Sequence, residues 1–322
     1  MLHSTERLPR PIACQFREAE LLSTTIGSYL ESIVATANEV PPLWSIAPAL
    51  SANYRKVTTE LLPRLRSLVA EVIAERRALD EQQQAAATGV GDGGDAPTDR
   101  ADLLSVLIRD DGLSDEDVAY ILFDLVIAGS DTTASTISAA LFLLHEPRHA
   151  SALVAARAEV AGVDVLSLSL DQLRDKLPYA TAIAREVLRL YPPVPFVGRT
   201  AVAPRELDGL QIPEGGTLCF SPYALGRDPS SWGDAADEFR PERWLDNPTG
   251  GAPSSFCWLP FGAGPRGCLG TRLGLTEVVI GVALLVQRFE FSFDKADEGL
   301  QYKYDLTLNL EGNTLCTAKP LQ

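Results

Sequence analysis

The feature that most constrains the fold of this chain is a helical pattern from Ser114 to about Glu146 that is apolar on nearly every side. Ser114 is suited to cap its first turn, acidic residues follow it, and Pro147 ends it. A helix that is apolar all round belongs in the interior of a protein. The centre of this one nevertheless carries the run Gly-Ser-Asp-Thr-Thr, which indicates a functional role.

Other segments share this helical period. Apolar side chains recur at three-to-four spacing over residues 17–38, 50–81, 178–190 and 269–289. Pro63 marks a kink or a first turn in the second of these, and two prolines after Tyr191 end the third. We interpret residues 85–100, which are small, Gly-rich and acidic, as a loop between helices.

After the predicted helix 178–190 the spacing of apolar residues becomes shorter, and Gly and Pro recur along the chain. This pattern predicts short strands within RTAVAP (199–204), LDGLQIP (207–213) and TLCFSPY (217–223). Residues 300–318 are typical of a β-hairpin. The predicted fold class is therefore mainly α with a small β-rich part, and the sequence has no internal repeats.

Composition excludes several kinds of protein. With 322 residues, 46% of them apolar, the chain has the size of a globular enzyme. Its net charge of −15 argues against nucleic acid as a partner, because binding phosphates requires surplus Lys and Arg. The N-terminus has no apolar run of signal or membrane-spanning length, so we expect no membrane anchor in this chain.

Cysteine usage points to a reducing compartment. The five cysteines are scattered, odd in number and without a C-x-x-C pair, which indicates neither a disulfide framework nor a zinc site. They are Cys14, Cys219, Cys257, Cys268 and Cys316.

The segment most suited to chemistry is FGAGPRGCLG, residues 261–270, immediately before a predicted helix. A helix N-terminus favours the thiolate form of Cys268, and the glycines let the backbone approach a planar cofactor. Arg266 is suited to pair with a carboxylate, and Phe261 offers an aromatic face near the sulfur. The alternative interpretation is a Gly-rich turn with an incidental buried cysteine.

These residues match the haem-binding loop F-x-x-G-x-R-x-C-x-G of the cytochrome P-450 family at all five fixed positions. By this resemblance the chain is identified as a member of that family. The resemblance implies haem b (iron protoporphyrin IX) as cofactor, with Cys268 as axial iron ligand and Phe261 and Gly264 in the cofactor-binding loop. It also implies that Arg266 and Arg199 pair with the haem propionates.

A second segment, Ala128-Gly129-Ser130-Asp131-Thr132-Thr133, resembles the A-G-x-D-T-T stretch of the family's long central helix. The resemblance implies that Gly129 leaves space for dioxygen and that Asp131 and Thr132 form the acid–alcohol pair of a proton relay. Thr132 favours a monooxygenase, since relatives that rearrange peroxides often lack this threonine. The alternative is that the hydroxyls only bond back to the preceding helical turn.

A third set is structural. Glu186 and Arg189 stand three apart on one helix face, and Pro241-Glu242-Arg243-Trp244 is similar to the family's P-E-R-F motif with Trp in place of Phe. The resemblance implies that Arg243 joins Glu186 and Arg189 in a buried network that clamps the segment leading to Cys268.

The resemblance also predicts the domain organisation. We expect residues 1–322 to form a single partial cytochrome P-450 domain that lacks the family's N-terminal third. Within it, residues 16–195 are predicted to be helix-rich, residues 196–255 and 290–320 β-rich, and residues 261–270 to be the haem loop.

The implied activity is a monooxygenase that inserts one oxygen atom of dioxygen into a small apolar substrate, with electrons from a reductase or ferredoxin partner. Two alternatives remain open at this point: a haem-thiolate isomerase or dehydratase, and a truncated, inactive haem-binding protein. A weaker resemblance, in residues 16–20, 23–24 and 41–44, is to the plastid carotene hydroxylases of plants and algae.

Overall fold

The computed structural model describes residues 10–39, 41–88, 102–245, 254, 256–294, 296–304, 307–311 and 316–321, without the side chains of 10–23, 43, 80 and 82–88. The chain forms two compact units, Met1–Ala128 and Gly129–Gln322. The boundary falls inside the long central helix. The expectation of one partial domain stays a prediction.

The first unit is helical in its described residues. Its helices are α1 (Arg10–Ala37), α2 (Leu43–Ile46), α3 (Ala52–Lys56), α4 (Leu62–Thr88), α5 (Leu103–Ile108) and the first half of α6 (Asp115–His145). A π-helical turn, Val57–Leu61, lies between α3 and α4, and Pro63 follows it in the first turn of α4. Val69, Ile73, Ile108 and Val118 form a small core.

The second unit has a larger helical core. Its further helices are α7 (Ala150–Val160), α8 (Leu170–Lys176), α9 (Pro178–Leu190), α10 (Pro222–Leu225), α11 (Pro229–Trp232) and α12 (Thr271–Arg288). The second half of α6 packs with α7, α9 and α12, and Leu144, Ile183 and Val282 are fully buried there. Burying such side chains is the main source of stability, at about 1.5–3 kcal/mol each.

The described strands form four antiparallel pairs. They are β1 (Val197–Thr200) with β4 (Thr217–Phe220), β2 (Arg205–Leu207) with β3 (Leu210–Ile212), β5 (Phe289–Phe293) with β8 (Cys316–Pro320), and β6 (Tyr302–Tyr304) with β7 (Leu308–Leu310). Asp208 and Gly209, at φ of 48° and 80°, make the tight turn between β2 and β3, as Asp-Gly commonly does.

The predicted fold class is confirmed, and two local predictions are wrong in part. Residues 300–318 contain the predicted hairpin as the pair β6–β7, but β8 does not belong to it, because β8 pairs with β5, the strand that follows α12. Residues 85–88, predicted as loop, continue α4, since their alanines favour helix. The remainder of that predicted loop, residues 89–100, lies outside the described residues.

Helix α6 is the described helix that is long and apolar enough to cross a membrane. Its second half instead lies in a protein core, where Ala140, Phe142 and Leu144 are inaccessible to solvent. A reciprocal pair of hydrogen bonds caps its start: Asp117 N–H donates to Ser114 Oγ (3.2 Å), and Ser114 N–H donates to Asp117 Oδ2 (2.9 Å). We interpret the second half of α6 as part of the core of the second unit.

Candidate active site

Cys268 lies three residues before α12, in a loop held by backbone hydrogen bonds. Its N–H donates to Phe261 O (2.8 Å), and the Gly267 N–H donates to Gly264 O (2.9 Å). Gly262 and Gly264 both adopt φ of 68°, the left-handed region that other residues rarely enter. The loop therefore folds back on itself and leaves the Cys268 side chain exposed.

This loop surrounds a concave space of about 220 Å³. The space is lined by Trp258, Leu259, Pro260, Phe261, Gly262, Ala263, Gly264, Gly267, Cys268 and Thr271. A Cβ atom built on Gly264 would meet no atom within 4 Å, so its backbone face is open. An open, glycine-lined face beside an exposed thiol suits the edge of a flat prosthetic group.

Phe261 packs across the start of α12. Its Cε1 atom lies 4.0 Å from where a Cβ of Gly274 would be, and its ring meets that of Trp258 edge-on at 6.2 Å. The Trp258 indole N–H donates to Arg185 O (3.2 Å), which ties the loop to α9. The aromatic side chain beside the thiol is thus fixed from two directions.

The donor set at Cys268 fits haem better than a bare metal ion. Among the described residues, no three His, Cys, Asp or Glu side chains come together as a metal cluster. A metal at Cys268 would therefore have to bring most of its ligands with it, as the iron of a porphyrin does, with a cysteine thiolate completing its coordination.

Two arginines are available for the carboxylates of such a cofactor. Arg266 is exposed in the loop and has no ion-pair partner within the described part of the chain. Arg199, exposed on β1 opposite Leu218, donates from Nη1 to the neighbouring Gly198 O (2.8 Å) and likewise forms no ion pair there. Guanidinium groups without carboxylate partners suit haem propionates.

The polar turn of α6 is held by the β6–β7 segment. The Thr307 hydroxyl donates to Asp131 Oδ2, and Asn309 Nδ2 donates to Thr307 Oγ1 (2.8 Å). One turn later, the Ser135 hydroxyl donates to Leu308 O (2.6 Å). These contacts fix the orientation of the Asp131 carboxylate.

The same turn lies against α12. The Thr133 hydroxyl donates to Glu277 Oε2 (3.3 Å), and the Thr136 hydroxyl donates back to Thr132 O (2.8 Å). Gly129 is exposed, and a Cβ built on it would meet nothing within 4 Å. The structure thus places the α6 turn beside the helix that follows Cys268, with open space at Gly129.

The predicted clamp is present in full. Arg189 donates twice to the Glu186 carboxylate (2.8 Å each), and Arg243 Nε donates to Glu186 Oε1 (2.9 Å). The side chains of Glu186 and Arg189 are fully buried. Arg189 also donates to the carbonyl oxygens of Gly226 and Ala236, so this network fixes the segment between α9 and the cysteine loop.

Sequence reasoning missed two polar partners. Thr307 holds Asp131 from 176 residues away, in a segment whose only sequence signal was β-propensity. The Trp244 indole N–H donates to Glu186 Oε2 (2.9 Å), which the Phe of the usual motif could not do. The sequence shows that Trp244 replaces the Phe of the motif, but it does not show that the indole N–H points to Glu186.

Known proteins are similar to this chain in sequence. Residues 16–316 match the family model of cytochrome P450. The chain is 32% identical over 279 residues to cytochrome P450 CYP94D109 of Paris polyphylla, covering 84% of this chain and 53% of that protein. It is 31% identical over 266 residues to 2-hydroxyisoflavanone synthase of Glycyrrhiza uralensis, covering 78% and 49%.

A third relative is named for two activities. It is the bifunctional cytochrome P450/NADPH–P450 reductase of Fusarium oxysporum, 31% identical over 254 residues, covering 76% of this chain and 22% of that protein. The chain spans about half the length of the first two relatives. Enzymes of the matched family use haem b as cofactor. Because the family model covers nearly the whole sequence, the chain belongs to the cytochrome P450 family.

Proposed function

We propose that the protein of this chain is a haem-dependent monooxygenase with Cys268 as the axial ligand. The observation that carries the proposal is the Cys268 loop, an exposed thiol at a helix N-terminus inside an open, glycine-lined concavity. When bound there, haem would supply the binding and reductive activation of dioxygen.

The loop residues would position the cofactor. Cys268 would supply the sulfur, and the hydrogen bond from its backbone N–H to Phe261 O (2.8 Å) fixes the backbone at that position. Arg266 and Arg199 would pair with the two propionates by charge-assisted hydrogen bonds. Because Gly264 has no side chain, a flat ring could approach its backbone closely.

The α6 residues would deliver protons. Asp131 is held by Thr307, itself bonded to Asn309, so its carboxylate has a fixed orientation, and Thr132 is the next residue on the helix. An alcohol near the reacting oxygen with a titratable carboxylate behind it is the arrangement required for a relay. Gly129 leaves room for a small molecule, because it has no side chain and faces open space.

The substrate would be a small apolar molecule. Val194 and Phe196, on the segment that leads into β1 and Arg199, are 38% and 49% exposed and offer an apolar surface beside the proposed propionate site. Oxygen insertion also needs two electrons, and the relative fused to a reductase supports an electron-donor protein, a reductase or a ferredoxin, as partner.

The presence of Thr132 and the fixed Asp131 favours this reaction over a haem-thiolate isomerase or dehydratase, which needs neither reductant nor external protons. Turnover that requires both dioxygen and an electron donor supports the monooxygenase. Turnover without them overturns it.

Ligation is tested by the absorption spectrum of the haem-reconstituted, reduced chain under carbon monoxide. We expect the red-shifted Soret band typical of thiolate ligation, lost in Cys268→Ser. The matched control is Cys219→Ser, because Cys219 is also exposed but lies on β4. A wild-type spectrum without that band, or equal loss in both variants, contradicts the proposal.

A further inference from the structure

Trp244 is the residue at which this chain departs from the P-E-R-F motif, and it lies where the buried ion network meets the cysteine loop. It is 4% exposed, at the end of the short 3₁₀ turn Pro241–Trp244. Its indole N–H donates to Glu186 Oε2 at 2.9 Å. The bond fixes which way the ring faces, as phenylalanine could not.

The bond completes the partners of the Glu186 carboxylate. Oε1 accepts from Arg189 Nη2, Arg243 Nε and Arg240 N–H, at 2.8, 2.9 and 2.9 Å. The donors to Oε2 are Arg189 Nε, at 2.8 Å, and Trp244. Trp244 is therefore a donor to a charge with no exposure to solvent, where hydrogen bonds count most.

From Trp244 a line of aromatic rings runs to the cysteine. Its ring meets Trp258 edge-on at 5.6 Å, and Trp258 meets Phe261 edge-on at 6.2 Å. The backbone carbonyl oxygen of Phe261 accepts the Cys268 N–H at 2.8 Å. Edge-to-face ring pairs have preferred orientations, so turning one ring shifts the next.

On the other side, Trp244 meets Trp232 at 5.6 Å. Trp232 is 8% exposed and donates its own N–H to Leu225 O (2.9 Å), and the ring contacts described for Trp258 do not include Trp232. Trp244 and Trp232 thus have similar burial and one indole hydrogen bond each, and of these two only Trp244 has a described ring contact with Trp258.

We propose that Trp244 is a positioning residue for Cys268: its hydrogen bond to Glu186 locks the ring line through Trp258 and Phe261 and so holds the cysteine loop in its ligating shape. The inference rests on the proposed function, because the loop has a ligating shape only if Cys268 binds haem. The coupling between Trp244 and the cysteine loop does not require haem. In this protein the clamp acts on the loop through side chains as well as through the backbone.

The test compares Trp244→Phe with Trp232→Phe in the full chain by amide hydrogen exchange. Both variants keep an aromatic ring and lose one indole hydrogen bond. We expect exchange in the peptide 257–270 to accelerate about tenfold in Trp244→Phe and less than about twofold in Trp232→Phe, measured at equal distance below each melting temperature. Equal acceleration in both, or none in Trp244→Phe, overturns the proposal.

A second readout uses the haem-loaded chain. In Trp244→Phe we expect the thiolate-type share of the carbon monoxide spectrum to fall several-fold, with the wild-type share kept in Trp232→Phe. If the wild type lacks that band, the proposed function fails while hydrogen exchange still decides the coupling. A wild-type spectrum in Trp244→Phe counts against Trp244 alone.

If Trp244→Phe does not fold, the test is made on the wild-type chain uniformly labelled with ¹⁵N. The Trp244 indole N–H and the Cys268 amide are expected to lose exchange protection together as the temperature rises. A Cys268 amide that remains protected after the Trp244 N–H has exchanged overturns the coupling.

Discussion

The Thr307 hydroxyl donates a hydrogen bond to the carboxylate of Asp131, joining the C-terminal β6–β7 segment to the centre of α6. Thr307 is 6% exposed and receives a second bond from Asn309. The proposed proton relay thus depends on a residue far away in sequence, because the carboxylate can be oriented only by something packed against the helix.

Replacing Thr307 by Val should therefore destabilise the fold. The change keeps the shape but removes a hydrogen bond to a charged group, and we expect the free energy of unfolding to fall by about 1.5–3 kcal/mol, measured by urea denaturation. The control is Ser135→Ala, which loses a bond to the neutral Leu308 carbonyl and should cost about 1 kcal/mol. A larger loss in Ser135→Ala would contradict the assignment.

The buried clamp supports a second prediction. Glu186→Gln leaves the charges of Arg189 and Arg243 without their carboxylate in a site where Glu186 and Arg189 have no solvent exposure. We expect a loss of about 3–5 kcal/mol in the free energy of unfolding, again by urea denaturation.

The matched control for that variant is Glu290→Gln. Glu290 pairs with Arg157 at side-chain exposures of 44% and 28%, so solvent screens the pair and the expected cost is at most about 1 kcal/mol. If the two substitutions cost the same, the Glu186 network does not carry the stability assigned to it.

A third prediction compares the effect on stability of adding a side chain at two glycines, one in crowded surroundings and one with free space. A Cβ on Gly226 would overlap the backbone oxygen of Arg189, which cannot move without breaking the clamp, whereas a Cβ on Gly274 would only touch Phe261 at 4.0 Å. We expect Gly226→Ala to lower stability by about 3 kcal/mol and Gly274→Ala, inside α12, to raise it by about 0.5–1 kcal/mol. Thermal melting measures both, and the reverse order would contradict the packing described.

The sequence predicted the parts of the fold that local patterns control. Helix α9 was predicted at its observed bounds, 178–190, because apolar residues recur at helical spacing there and two prolines follow its end. The pairing of β8 with β5 could not be predicted from residues 300–318, since a strand's partner depends on where α12 delivers the chain.

The residues of the candidate site also include some that local patterns predict and some that they do not. Motifs identified Cys268, Asp131 and the Glu186 network, because these depend on neighbours at fixed spacing. Thr307 and the orientation of Trp244 depend on tertiary contacts, for which one sequence carries no spacing rule. The roles of the site residues stay predictions until ligation and turnover are measured.

His145, at the end of α6, makes the stability of the fold depend on pH. Its Nδ1 atom lies 2.7 Å from Leu141 O, its Nε2 atom is buried without a hydrogen-bond partner among the described residues, and its ring meets Phe291 edge-on at 5.4 Å. Burial lowers the pKa of the imidazole below its usual 6.5, against opposing effects of the Leu141 carbonyl and of Glu290, while Arg157 lowers it further.

Because the folded-state pKa is the lower one, the unfolded chain binds more protons between the two values. The contribution of His145 to stability is therefore complete above pH of about 6.5 and is lost as the pH falls toward the folded-state pKa. We expect wild-type urea midpoints to fall across this window and His145→Gln to flatten the slope, since glutamine does not titrate. An unchanged slope in His145→Gln would show that other groups cause the acid sensitivity.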